Sequence, residues 1–132
     1  LVESVLRLGR YFKEEDEITK KSLELLKIFK LEDKAYEVAK NLPYGAQRRL
    51  EIARALATKP KLLLLDEPME NLDVYNEKLI QRILSDLKNK VTVIIIGHRL
   101  QTLKNADELI YLQQGKLVDN EKIKDKINYF SE

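Results

Sequence analysis

Leu62-Leu63-Leu64-Leu65-Asp66-Glu67-Pro68 is the stretch from which the rest of the chain can be placed. Four leucines in a row, bounded by Lys61 and a carboxylate pair, read as a short strand buried on both faces. Pro68 has no N–H for a ladder, so the strand should stop at the acidic pair. Open α/β sheets collect ligands outside the carboxyl ends of their strands. Asp66 and Glu67 would stand there, one able to hold a metal's water and the other to act as a base. A solvated acidic turn after a core strand fits the same seven residues equally well, so the flanking segments decide.

Downstream, Asn71-Leu72-Asp73 reads as a loop with Asp73 as a helix N-cap. Ile80, Ile83, Leu84 and Leu87 then mark the buried stripe of a helix reaching about Asn89. Val91 to Ile96 is a β-branched strand closed by Gly97 and His98. Strand, helix, strand makes a βαβ unit, with parallel strands and a right-handed crossover. His98 therefore falls at the same sheet end as Asp66 and Glu67. A lone histidine is more often structural, and its place past that strand raises its functional weight.

Upstream, Pro43 and Gly45 break the chain before a strong helix from about Ala46 to Thr58. On it Leu50, Ala53 and Ala57 share one face, as do Ile52 and Leu56. Backbone N–H groups at such a helix start can hold an anion, aided by the helix dipole. An ordinary turn into a basic, solvated helix is the competing reading.

Farther out the signals weaken. Val2, Val5, Leu6 and Leu8 predict a short helix stopped near Gly9. Ile18, Leu25, Leu26 and Phe29 predict a second from about Asp16 to Phe29. A third is expected from Glu32 to Lys40, with Ala35, Val38 and Ala39 on one face. Toward the end, Glu108–Leu112 and Lys116–Val118 read as a hairpin turned at Gln114-Gly115. Ile123, Ile127 and Phe130 predict a final lysine-rich amphipathic helix.

The 132 residues suffice for one domain with a real core. Charged residues make up 35% of them and balance to a formal +2, so no strong field points to nucleic acid or membrane. There is no cysteine, no long apolar span and no signal peptide, a composition that suits a cytosolic protein. Leu1 in place of a methionine hints at a trimmed or partial chain.

Taken together, Asn41 to Asn120 resembles the second half of an ATP-binding cassette (ABC) ATPase. Leu42-Pro43-Tyr44-Gly45-Ala46-Gln47 occupies the family's signature loop. Leu62–Asp66 matches the Walker B strand, Glu67 the catalytic glutamate, Asn71-Leu72-Asp73 the D-loop and His98 the switch histidine. The resemblance implies an α/β fold: a partial P-loop NTPase-type parallel sheet, an N-terminal helical subdomain, and a C-terminal hairpin and helix. Residues 1–58 would form the helical subdomain with the signature loop and its following helix. Residues 59–132 would form the C-terminal part of the ATPase core.

By the same resemblance Asp66 would orient Mg²⁺ through water, Glu67 would polarise the attacking water, and His98 would approach the γ-phosphate. Pro43, Tyr44, Gly45, Ala46, Gln47 and Asp73 would line the nucleotide of a second ATPase subunit arranged head to tail. The complete protein would then be an ATPase at the inner, cytoplasmic face of a membrane, docked on transmembrane transporter subunits, with no nucleic acid as partner.

The motifs disagree on the kind of transporter. Leu-Pro-Tyr-Gly followed by Arg48-Arg49-Leu50-Glu51-Ile52-Ala53-Arg54 looks most like ATPases of branched-chain amino-acid importers, although Ala46 stands where glutamine is usual. Pro43 replaces the common serine and offers no hydroxyl to a phosphate. Gly97-His98-Arg99-Leu100 through Lys104-Asn105-Ala106-Asp107 looks closer to exporters. A non-catalytic module lending its signature face to a partner is a further option, as is a cassette ATPase of translation or DNA repair. The repair type is lowered by the lack of its long coiled-coil insert.

One motif is missing. The phosphate-binding loop needs G-x-x-x-x-G-K-[ST], and Gly9, Gly45, Gly97 and Gly115 include no pair so spaced. The chain is thus expected to be about half a cassette, inactive alone. In the resembling family the P-loop strand lies between the strand ending at Ile96 and the segment Glu108–Leu112. Its absence predicts a gap in the sheet, or a new pairing of those two segments.

Overall fold

The parallel pair that the leucine run requires is present, and the core forms on one side of it. The computed structural model describes residues 2–98 and 105–118. Helix α1 (Val2–Ile28) is followed by two 3-10 turns, Glu32–Lys34 and Ala39–Asn41. Helix α2 (Tyr44–Ala57), strand β1 (Leu62–Asp66), helix α3 (Val74–Asp86) and strand β2 (Thr92–Ile96) come next. Strands β3 (Tyr111–Gln113) and β4 (Lys116–Val118) form a separate antiparallel pair.

β1 and β2 run parallel in the register Leu62↔Thr92 through Asp66↔Ile96, with α3 as the crossover. Asp73 caps α3 as its position foretold, its side chain accepting the Asn76 N–H at 3.0 Å. Ile80, Ile83 and Leu84 are buried and Leu87 packs beside them. With Ile52 and Ala53 of α2, Leu63 and Leu65 of β1, and Phe29 at the end of α1, they make the core.

The opposite sheet face differs from expectation. β1 buries Leu63 and Leu65 but leaves Leu62 and Leu64 open, and Ile94 and Ile96 of β2 lie on the same side. These four are 47% to 60% exposed, so the strand is buried on one face, not both. No layer among the described residues covers that side. The sheet also stops at β2: its order is β1-β2, and β3 pairs only with β4. Of the two outcomes foreseen for the region after Ile96, the gap is the one found among the described residues, none of which pairs with the far side of β2.

All three helices expected before Asn41 are corrected, the first two being the single helix α1. α1 runs through Gly9, because one helix-interior glycine costs only about 1 kcal/mol relative to alanine and good helix formers flank it. From Phe12 on, only its C-terminal end reaches the core: Leu25 and Leu26 pack against it and the following Phe29 is fully buried, while Ile18 is 64% exposed. Glu32–Lys40 is not a helix but the two 3-10 turns, joined through an extended Val38. Tyr36 and Val38 face solvent there, so no apolar stripe is buried to sustain so short a helix.

The hairpin forms around Gln114 (φ 49°) and Gly115 (φ 74°), both left-handed as a two-residue turn demands. Its first strand is shorter than Glu108–Leu112 and shifted to Tyr111–Gln113. The helix expected around Ile123, Ile127 and Phe130 lies outside the described residues, as does the segment from Arg99 to Lys104.

Candidate functional site

Parallel pairing delivers three of the expected residues to one place. Asp66 is the last residue of β1, opposite Ile96, and the Glu67 N–H still donates to the Ile96 carbonyl at 2.9 Å. That bond fixes Glu67 at the rim, and the chain turns there with Glu67 at φ 45°, in the left-handed region. For a non-glycine residue such a backbone is uncommon, and such strain concentrates at functional sites. Pro68 and Met69 are buried directly behind it and anchor the turn.

Two residues beyond β2, His98 meets this rim: its Nδ1 lies 2.7 Å from Oε1 of Glu67. The His98 side chain is two-thirds exposed and that of Glu67 one-third. The pair is therefore a solvent-accessible contact that orients two side chains, with little weight as a stabilising ion pair. Asp66 is exposed beside them. No group of three histidine, cysteine or acidic side chains among the described residues could hold a metal unaided. Asp66 still suits Mg²⁺, a hard cation commonly held by one or two carboxylates together with water and substrate phosphates.

The second cluster of expected residues begins α2, two positions earlier than the sequence suggested. Pro43 is the N-cap and offers no capping side chain, while its carbonyl accepts from the N–H groups of Ala46 and Gln47 at 2.9 and 3.0 Å. The N–H groups of Tyr44 and Gly45 precede the first intrahelical bond, which leaves them as donors at the helix start. Gln47 folds back to donate to the Leu42 carbonyl at 2.7 Å. Ala46 is buried in the core, so only its backbone could serve a ligand.

Tyr44 is held across the first turn: Arg48 Nε donates to its hydroxyl at 2.9 Å, and the guanidinium sits 5.3 Å over the ring. Arg48 also donates to Glu51 at 2.9 Å. Bonding to Tyr44 first, and then to Glu51, raises the Arg48 pKa above its ordinary value.

Asp73, the remaining expected residue, is occupied as the α3 cap. Its carboxyl is held below the ordinary 3.8, chiefly by the Asn76 N–H and next by the Asn76 side-chain amide. A depressed carboxyl stabilises the fold above its unfolded pKa and ceases to do so as pH falls through its folded value. The first turn of α3 should therefore loosen as the solution is taken below pH 3.8. Asp73→Asn keeps a good cap without a titrating group. It is expected to flatten the acid dependence of amide exchange at Asn76 and Glu77, and an unchanged dependence would assign it to other carboxylates.

Arg49 was not foreseen. It sits among basic residues that read as a solvated face, yet it is only 9% exposed. Its Nη1 donates to the Phe29 carbonyl at 3.1 Å and its Nε to the Gly45 carbonyl at 3.3 Å, tying the end of α1 to the start of α2. The only advance signal was its place four residues after Gly45 on a helix.

Known proteins resemble this chain in sequence and in fold. A family model described as ABC transporter matches residues 3–70. The multidrug resistance-like ATP-binding protein MdlB of Buchnera aphidicola subsp. Schizaphis graminum is 45% identical over 83 residues, 63% of this chain and 14% of that protein. The phosphate import ATP-binding protein PstB of Saccharolobus solfataricus is 41% identical over 88 residues, 66% of this chain and 34% of that protein. Among solved structures, the ADP conformation of MJ1267, an ATP-binding cassette of an ABC transporter, superposes with a TM-score of 0.73 at 29% identity. That match covers 88% of this chain and 51% of the cassette. The dimeric structure of MJ0796, a bacterial ABC transporter cassette, gives 0.67 at 33% identity over 76% of this chain and 44% of that one. The chain thus spans about half of the MJ1267 cassette and less of the two curated relatives.

Proposed function

The chain belongs to the ABC transporter family, and from that premise we propose that it is the signature and Walker B half of a nucleotide-binding subunit that couples ATP hydrolysis to solute transport. The observation that carries this reading is the 2.7 Å contact between His98 Nδ1 and Glu67 Oε1 at the shared carboxyl ends of β1 and β2.

In the proposed mechanism Glu67 accepts a hydrogen bond from the attacking water and draws its proton as the water oxygen bonds to the γ-phosphorus and the bond to the β,γ-bridging oxygen breaks, leaving ADP and inorganic phosphate. His98 holds the Glu67 carboxylate in place through Nδ1 and leaves its other ring nitrogen for the γ-phosphate. Asp66 would hold Mg²⁺ through water, and the bound ion would offset charge on the β- and γ-phosphates. The donors at the start of α2, with Gln47 and the Asn71–Asp73 loop, would face the nucleotide of a second subunit packed head to tail. The helices of residues 1–58 would carry the resulting motion to transmembrane subunits at the inner face of the membrane.

The relatives named above include one called a phosphate importer and one called multidrug resistance-like, so the proposal stops at transport and assigns no solute. A second reading is a non-catalytic module lending its signature face to a partner; a complete protein with no G-x-x-x-x-G-K-[ST] ahead of Leu1 would favour it.

His98→Ala separates the two. In the complete protein that carries this chain, it should lower MgATP turnover by about 10²-fold, the scale of losing one donor to a developing charge. An unchanged phosphate-release rate would count for the module.

A further inference from the structure

Gly45 begins α2 in an ordinary helical conformation, so its backbone does not demand glycine; left-handed φ values occur elsewhere. Its surroundings do. A Cβ built on Gly45 would fall 2.5 Å from Cγ of Asn76 and 2.9 Å from its Oδ1, and would also strike Nδ2. Carbon atoms do not approach so closely, and the obstacle cannot swing aside freely. Asn76 Nδ2 donates to Asp73 Oδ2 while the Asn76 N–H donates to Asp73 Oδ1, so the cap that starts α3 also fixes the amide. The amide oxygen, Asn76 Oδ1, is buried without a hydrogen-bond partner among the described residues. A buried unpaired acceptor is costly and asks for a reason.

We propose that Asn76 is a positioning residue: its amide, locked by Asp73, seats Gly45 and so holds the start of α2 against the first turn of α3. The loop Pro43–Gln47 and the loop Asn71–Asp73 then move as one body, although 23 or more residues separate them in sequence. Asn76 touches no reacting atom. Its contribution to turnover rests on the ATPase reading above, whereas the seating itself does not.

The test is a reversal of sign. Alanine is the better helix former, so replacing Gly45 should stabilise α2 wherever there is room. With Asn76 present, Gly45→Ala is expected to lower the melting temperature of the nucleotide-free chain by about 4 °C or more. In an Asn76→Ala background, whose Cβ lies inside all three clashing atoms, the same change should raise it by about 2 °C. A Gly45→Ala chain too unstable to purify but recovered by adding Asn76→Ala supports the same conclusion. A Gly45→Ala chain that melts like the parent, or a double variant no more stable than Gly45→Ala alone, would overturn the proposal.

The second arm is kinetic. In the complete protein Asn76→Ala should lower kcat about tenfold, with the KM for MgATP unchanged, as expected of two loops displaced by a fraction of the roughly 1 Å that costs a hundredfold. An unchanged kcat would remove the positioning role. If the unsubstituted protein releases no phosphate at all, the ATPase reading fails, and the melting series alone decides the contact.

Discussion

Replacing Glu67 with glutamine is expected to slow MgATP turnover by the complete protein about 10⁴-fold, the upper range of what a positioned general base contributes, while MgATP binding is retained. Glutamine preserves the size of the side chain and can still accept a hydrogen bond from His98, so the turn after β1 should keep its shape. What it cannot do is take a proton. The reasons for choosing Glu67 over Asp66 are geometric. Glu67 is bonded to β2 through its own N–H, is turned by a left-handed backbone, and meets His98 at 2.7 Å. Asp66 shares the rim but none of those three constraints is recorded for it. Steady-state phosphate release and MgATP calorimetry on the same purified variant check both halves. Normal turnover would take Glu67 out of the base role, and lost binding would mean that it holds nucleotide instead.

The second large effect is an absence of turnover. The isolated chain, residues 1–132, is expected neither to bind MgATP tightly nor to hydrolyse it. Phosphoryl transfer depends on positioning and charge stabilisation, supplied in P-loop enzymes by a ring of backbone donors and a lysine around the β- and γ-phosphates. Asp66, Glu67 and His98 offer a metal partner, a base and a γ-phosphate contact, and none of them can replace that ring. Two carboxylates at a strand end repel a triphosphate unless Mg²⁺ intervenes. Lys116 is the only lysine that directly follows a glycine, and Gly115 belongs to the hairpin turn between β3 and β4. Lys116 therefore projects from a hairpin strand and not from a phosphate-binding loop. Calorimetry that shows micromolar binding of MgATP to the isolated chain would mean that another cradle exists.

Much of the site was legible because short-range patterns encode it. A run of leucines ended by Pro68, a β-branched run ended by Gly97, and a helical stripe between them fix a parallel pair. Parallel strands put their ends together whatever the rest of the fold does. The Asp73 cap was equally local, a residue type and its offset from the first helical turn.

What the sequence hid were contacts between separate elements. Arg49 looks like its exposed neighbour Arg48, and only the carbonyls of Phe29 and Gly45, brought together by the packing of α1 on α2, make it a buried tie. Asn76 looks like an ordinary first-turn polar residue until Gly45 is found against it. The two errors of burial have a related origin. Leu62 and Leu64 read as buried because an all-leucine strand normally has a layer on each face, and here one layer is missing among the described residues. The apolar spacing of Ala35, Val38 and Ala39 reads as helical, but none of the three is buried, and the segment relaxes into 3-10 turns.

The central claim is that this chain carries the hydrolytic edge of a cassette and lacks its phosphate cradle. The most direct measurement is phosphate release at saturating MgATP by the isolated chain, before and after the P-loop-bearing remainder of the cassette is added, with Glu67→Gln run in parallel. No release is expected from the chain alone, release once the two parts are combined, and none from the combination that carries Glu67→Gln. Release by the chain alone that disappears in Glu67→Gln would contradict the central claim.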